Sequence, residues 1–171
     1  MRDLLLFAAL LLASWWLYAS GALESFVLGL GNFMNLGVLV SGFFYSTTIT
    51  SPLALAMFAT YAKTMSPLRI AMAAGVGAMF ADVMIFMGFG KITERDFIIA
   101  GRKVRIPKPA GALEKTLLTA LGLVLVALPF PNEPAVALMG VGGMKMNRFM
   151  ALSLASKFVG IFLIAWALAS I

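Results

Sequence analysis

Apolar runs dominate this chain, yet several of them are broken by proline, glycine or amide residues before they reach the length of a bilayer crossing. A helix needs about 20 apolar residues to span the hydrocarbon core. The run from Pro67 to Lys91 meets that length, is rich in Ala and Gly, and carries one acid, Asp82. The run from Phe149 to Ile171 also meets it, with Lys157 inside. In contrast, "FVLGLGNFMNLGVLV" (Phe26 to Val40) is interrupted by Gly29, Gly31, Asn32, Asn35 and Gly37. Ser46 to Ser51 then place hydroxyls and β-branched side chains ahead of Pro52, and the residue before a proline resists the α conformation. Thr116 to Leu128 is short for a crossing and runs directly into "PFPNEP", which holds Pro131, Glu133 and Pro134.

Composition sets the medium. The 171 residues are 62% hydrophobic and 12% charged, against roughly 45–50% and 25% in soluble domains, and mean hydropathy is +1.01. The expectation is an all-α integral membrane protein forming a single membrane domain over residues 1–171. Cysteine and histidine are both absent, which removes disulfides, thiol chemistry, haem ligation and the usual zinc sites. No cofactor or metal is expected. The net charge of +6 does not point to nucleic acid, because seven of the basic residues lie in Lys91–Lys115, "KITERDFIIAGRKVRIPKPAGALEK". An excess of Lys and Arg between helices marks a cytoplasmic segment. The N-terminal "MRDLLLFAALLLASWWLYASG" resembles a signal peptide in its charged start, but it is long and lacks a clear small-x-small cleavage site. It is read as a retained helix with a cytoplasmic N-terminus and with Trp15, Trp16 and Tyr18 near the far interface.

The order of features repeats. Sliding the chain by 82 positions matches Pro52 with Pro134, Met57 with Met139 and Lys63 with Lys145. Each copy runs apolar half, proline break, apolar half, lysine turn, full span. Irregular backbone at membrane depth is tolerated only where protein or a wet cavity satisfies its polar groups. A re-entrant hairpin meets that demand, so Phe26–Lys63 and Leu113–Met146 are expected to enter and leave from opposite sides. The expected layout is an N-terminal helix (1–22), a first repeat (26–90), a basic cytoplasmic segment (91–112) and a second, inverted repeat (113–171), an arrangement recurrent among transporters. Ordinary helices with proline kinks are the alternative.

Few residues are able to carry chemistry. An ionisable group inside a span costs several kcal/mol unless it is paired or wet. Asp82 and Lys157 each lie nine positions from a cationic residue at the cytoplasmic interface, Lys91 and Arg148 respectively. At 1.5 Å per residue both sit roughly 13–14 Å deep, and equal depth predicts an interhelical ion pair, either a lock between helices or a coupling element. Glu133 sits in a break beside a helix starting near Pro134, where a carboxylate caps first-turn amides or lines a cavity. Ser51, Pro52, Pro131 and Pro134 mark the two breaks. Lys63, Lys145 and Arg148 are expected to anchor helix ends at headgroups, and Gly140, Gly142 and Gly143 to permit close packing of the second returning arm. No nucleotide loop, catalytic triad or metal motif stands out, so no enzyme is expected.

With these residues placed, the chain resembles the DedA family, the SNARE-associated or VTT-domain membrane proteins. "SPLALAMFATYAKTMSPLRIAMAAGVGAMFADVMIFMGFGK" is similar to that family's proline-containing re-entrant arm and its "GAxxGD"-type helix ending in "GR" or "GK", matched at Gly77, Ala78, Asp82, Gly90 and Lys91. "PFPNEPAVALMGVGGMKMNRF" is similar to the family's "P-x-P-G-E" hairpin. The chain departs from the pattern at the first proline, where Ser51 stands in place of an acid, and in the second hairpin, which has the acid and lacks the arginines. The resemblance implies a cell-membrane translocase for a lipid or lipid-linked phosphate carrier, with membrane lipids as partners and protons or sodium as candidate coupling ions. A small-molecule or ion exporter and a non-transporting accessory protein remain alternatives, and self-association stays open.

Overall fold

Gly21 sets the first turn of the chain. It adopts the left-handed conformation (φ 74°), which glycine reaches without a Cβ penalty, and it separates α1 (Arg2–Ala19) from α2 (Ala22–Gly29). The two helices are bent by 70° at this break. In this computed structural model the described residues are 2–47, 49–91, 97–99, 102–104, 111–127, 135–136, 139 and 144–170.

A short 3₁₀ turn (Gly31–Phe33) leads into α3 (Met34–Tyr45), which is followed by a break and then α4 (Ser51–Ala62). The sequence expectation of one arm beginning at Phe26 is therefore refined. α2 ends first at Gly29, the turn over Gly31–Phe33 holds Asn32, and the arm proper starts at Met34. At about 1.5 Å per residue α3 and α4 are each ~18 Å long, well short of the roughly 30 Å hydrocarbon core. They pack side by side with both open ends together, since the Thr64 hydroxyl reaches the Met34 sulfur at 4.0 Å. Pro52 falls in the first turn of α4, where its missing N–H leaves no helix bond unmade.

The hairpin tip abuts the middle of α5 (Pro67–Lys91). Glycine makes that approach close. A Cβ at Gly42 of α3 would strike the Ala74 backbone, and one at Gly77 of α5 would strike the Leu39 carbonyl oxygen. On its other side α5 packs against α7 (Met146–Ala169), with Phe86 stacked on Phe149 at 4.3 Å. Between them in sequence lies α6 (Ala112–Ala127), ~24 Å long, which packs on α7. The Ser156 hydroxyl donates to the Leu123 carbonyl at 2.5 Å.

Two apolar clusters result. One gathers α1 to α5 and the C-terminal half of α7 around Phe58, Tyr61 and Ile70. The other joins α6, α5 and the start of α7 through Val126, Val136, Met139 and Phe149. Outside them, large apolar side chains such as Leu12, Trp15, Trp16, Met84, Val159 and Trp166 lie exposed. Pro67–Gly88 and Met146–Ala169 are long and apolar enough to cross a membrane, and the bent α1–α2 pair makes a third if counted as one span. An exposed apolar belt on helices of that length is the make-up of an integral membrane protein.

The basic segment contains an element that its charge obscured. Phe97–Ile99 (β1) and Arg102–Val104 (β2) pair antiparallel with Ile99 opposite Arg102. The fold is helical, as the apolar runs predict, and this small ribbon is an addition outside the helices.

Candidate functional site

Three elements meet at the hairpin tip. From the end of α3 come Tyr45 and Ser46, from α5 come Ala78 and Asp82, and from α7 come Ser153 and Lys157. Ser46 caps the C-terminus of α3, and its hydroxyl donates across the interface to the Ala78 carbonyl oxygen at 3.0 Å. Ala78 stands eleven positions from Pro67, about 16 Å along α5, which puts the tip near the middle of that helix.

The end of α3 finds its partners locally. The Phe44 carbonyl accepts from the Thr47 hydroxyl at 3.2 Å and from the Thr50 hydroxyl at 2.7 Å, and the two threonine hydroxyls are themselves in contact. The Ser51 amide donates to the Thr47 carbonyl at 3.0 Å. The hydroxyls of Thr47 and Thr50 therefore cap the end of α3. Ser51 and Pro52 are both buried there.

Asp82 and Lys157 have no exposed side-chain surface and stand 3.7 Å apart, Oδ1 to Nζ. The other carboxylate oxygen, Oδ2, accepts from Ser153 at 2.7 Å. Ser153 lies one helical turn before Lys157, on the same face of α7. The Lys157 ammonium also lies over the Tyr45 ring, 4.9 Å from its centroid, a cation–π contact that gains strength where water is excluded. Tyr45 is in turn held by Phe58, with ring centroids 5.6 Å apart. Asp82 Oδ1 has the ammonium nearby but no hydrogen bond. The cluster pairs opposite charges, supplies one hydroxyl to the acid and one aromatic face to the base, and ties α3, α5 and α7 together. A carboxylate, an ammonium and hydroxyls in this arrangement are able to exchange a proton or release one partner to a competing ion.

A second charged group lies at the open end of the hairpin. Lys63 donates to Glu24 Oε2 at 2.6 Å, with both side chains nearly half exposed, and its ammonium is 5.4 Å from the centre of the Tyr18 ring. The hydrogen bond to Glu24 holds the Lys63 pKa above the ordinary lysine value. Lys145 and Arg148 are exposed at the start of α7. They are far along that helix from Lys157 and make no part of the buried cluster. Glu133, Pro131 and Pro134, with Gly140, Gly142 and Gly143, lie outside the described residues. Among the described residues no three acidic, histidine or cysteine side chains gather to hold a metal ion.

Sequence reasoning placed Asp82 and Lys157 but missed Tyr45 and Glu24. Nothing in a local pattern marks Tyr45, whose role comes from the crossing of α3 and α7. Glu24 carried a signal, since an acid within an apolar stretch needs a counter-charge, and Lys63 was the cation at the matching interface.

A cavity of about 530 Å³ opens on the opposite side of the hairpin from this cluster, lined almost wholly by apolar side chains of α1 to α4. It does not reach Asp82 or Lys157. No protein-family model matches the chain, and no curated protein or solved structure matches it.

Proposed function

We propose that the chain is a membrane transporter of the DedA/VTT type that translocates a lipid or a lipid-linked phosphate carrier. One observation carries the reading: a helix break ends half-way along a membrane-length helix, beside a fully buried acid–base pair. On this reading α3 and α4 are the arms of a re-entrant hairpin. The segment from α6 to the start of α7, with the Glu133 break inside it, is its inverted counterpart. Broken elements converging at mid-membrane around ionisable groups are a recurrent plan for alternating access. The basic segment 91–115 then lies on the cytoplasmic side with the N-terminus, where it attracts anionic headgroups. Protons or sodium are the coupling ions that Asp82 and Glu133 suit.

The complete burial of Asp82 and Lys157 favours a second reading, in which the pair only locks α5 to α7 and the protein is an accessory component without transport. Reconstitution into sealed vesicles separates the alternatives. Faster movement of a labelled lipid between leaflets supports the translocase, flux of a small solute or ion without lipid movement supports an exporter, and neither supports the accessory role.

A further inference from the structure

We infer that the apolar cavity between α1, α2, α3 and α4 holds one acyl chain of a zwitterionic phospholipid, whose headgroup meets the Glu24–Lys63 pair. This inference rests on the chain lying in a bilayer and not on translocation, so the two fail or stand separately.

Size and chemistry narrow the occupant. The volume of about 530 Å³ is many times the ~30 Å³ share of a water molecule, yet its walls include Leu17, Leu30, Leu36, Val40, Phe44 and Met57. Water requires two to four polar partners. Ser41 is the one hydroxyl in the lining, and it already donates to the Gly37 carbonyl at 2.8 Å. Left empty, walls of this extent forfeit their dispersion contacts. Hydrocarbon is what a bilayer supplies.

Length and polarity agree. The lining runs from Phe33, just ahead of α3, to Phe44 near its end, about 16 Å at 1.5 Å per residue, close to half of the roughly 30 Å hydrocarbon core. The groove is one leaflet deep. Leu23 and Phe26, on either side of Glu24 in α2, line the groove, and Glu24 pairs with Lys63 at the open end of the hairpin. Lipid tails are as apolar as leucine, so burial alone does not favour the groove over the surrounding bilayer. Retention comes from fitted packing and from the headgroup, whose cationic ammonium faces Glu24 and whose phosphate faces Lys63.

The test uses the full chain with Trp15, Trp16 and Trp166, all exposed, changed to Phe, and a single reporter introduced as Phe44→Trp. Phosphatidylcholine brominated midway along one chain is titrated into the detergent-solubilised protein. The expected result is quenching that saturates at one lipid per protein. A control reporter, Val159→Trp on the exposed face of α7, is quenched only in proportion to the lipid present. Native mass spectrometry of the otherwise unaltered protein gives an independent readout, with one phospholipid retained. That lipid is lost in Val40→Trp, which fills the groove from a half-exposed position, and its retention falls at least tenfold in Lys63→Glu. Proportional quenching at Phe44→Trp, or a retained lipid indifferent to Val40→Trp, overturns the inference.

Discussion

Lys157 Nζ lies 3.7 Å from Asp82 Oδ1, although the two residues belong to different long helices and neither side chain has any exposed surface. Removing one charge leaves the other buried without its partner, which typically costs about 3–5 kcal/mol, whereas removing both often costs little. Asp82→Asn and Lys157→Met are each expected to lower the thermal midpoint of the detergent-solubilised protein sharply. The double substitution recovers most of the loss. A double variant whose loss is the sum of the two single losses would show that the residues do not act as a pair.

Gly42 and Gly77 let α3 and α5 touch through their backbones. Gly42→Ala and Gly77→Ala push a methyl group into the neighbouring helix, an overpacking that costs about 1–3 kcal/mol. It also moves Ser46 away from Ala78. Gly88→Ala, with open space around the added carbon, is the matched control and is expected to be neutral or slightly stabilising. Thermal unfolding of the three variants checks the ranking.

The chain has no cysteine, so single cysteines report position without background. Thr64→Cys, at the open end of the hairpin, and Arg148→Cys, at the start of α7, are expected to react with an impermeant maleimide from opposite sides of the membrane. Ile49→Cys, at the tip, is expected to react slowly from either side. Labelling of Thr64→Cys and Arg148→Cys from the same side would exclude the re-entrant, inverted arrangement.

Much of this was legible because helices have a fixed rise. Nine residues from Lys91 and nine from Arg148 put Asp82 and Lys157 at one depth, and the fold joins them. The bounds of α5 were legible too, since Pro67 opens the run and the polar segment closes it. Other features come from geometry that no local pattern encodes. Gly21 was visible as a glycine, but the 70° bend it makes depends on α2 packing back on α4. The ribbon of Phe97–Ile99 and Arg102–Val104 rests on two runs of only three residues each, overshadowed by the surrounding charge. Tyr45 meets Lys157 only because glycines draw α3 onto α5. The apolar cavity is a shape, formed where four helices splay, and composition carries no trace of it.

The most direct measurement is the rate at which a labelled phospholipid, or a labelled polyprenyl phosphate, becomes accessible to an impermeant reductant outside sealed vesicles containing the purified protein. The proposed function requires a rate well above that of protein-free vesicles, and a return to the protein-free rate in the folded Asp82→Asn/Lys157→Met double variant. A rate for the unaltered protein equal to that of empty vesicles, with both lipids and with a proton or sodium gradient imposed, would contradict it.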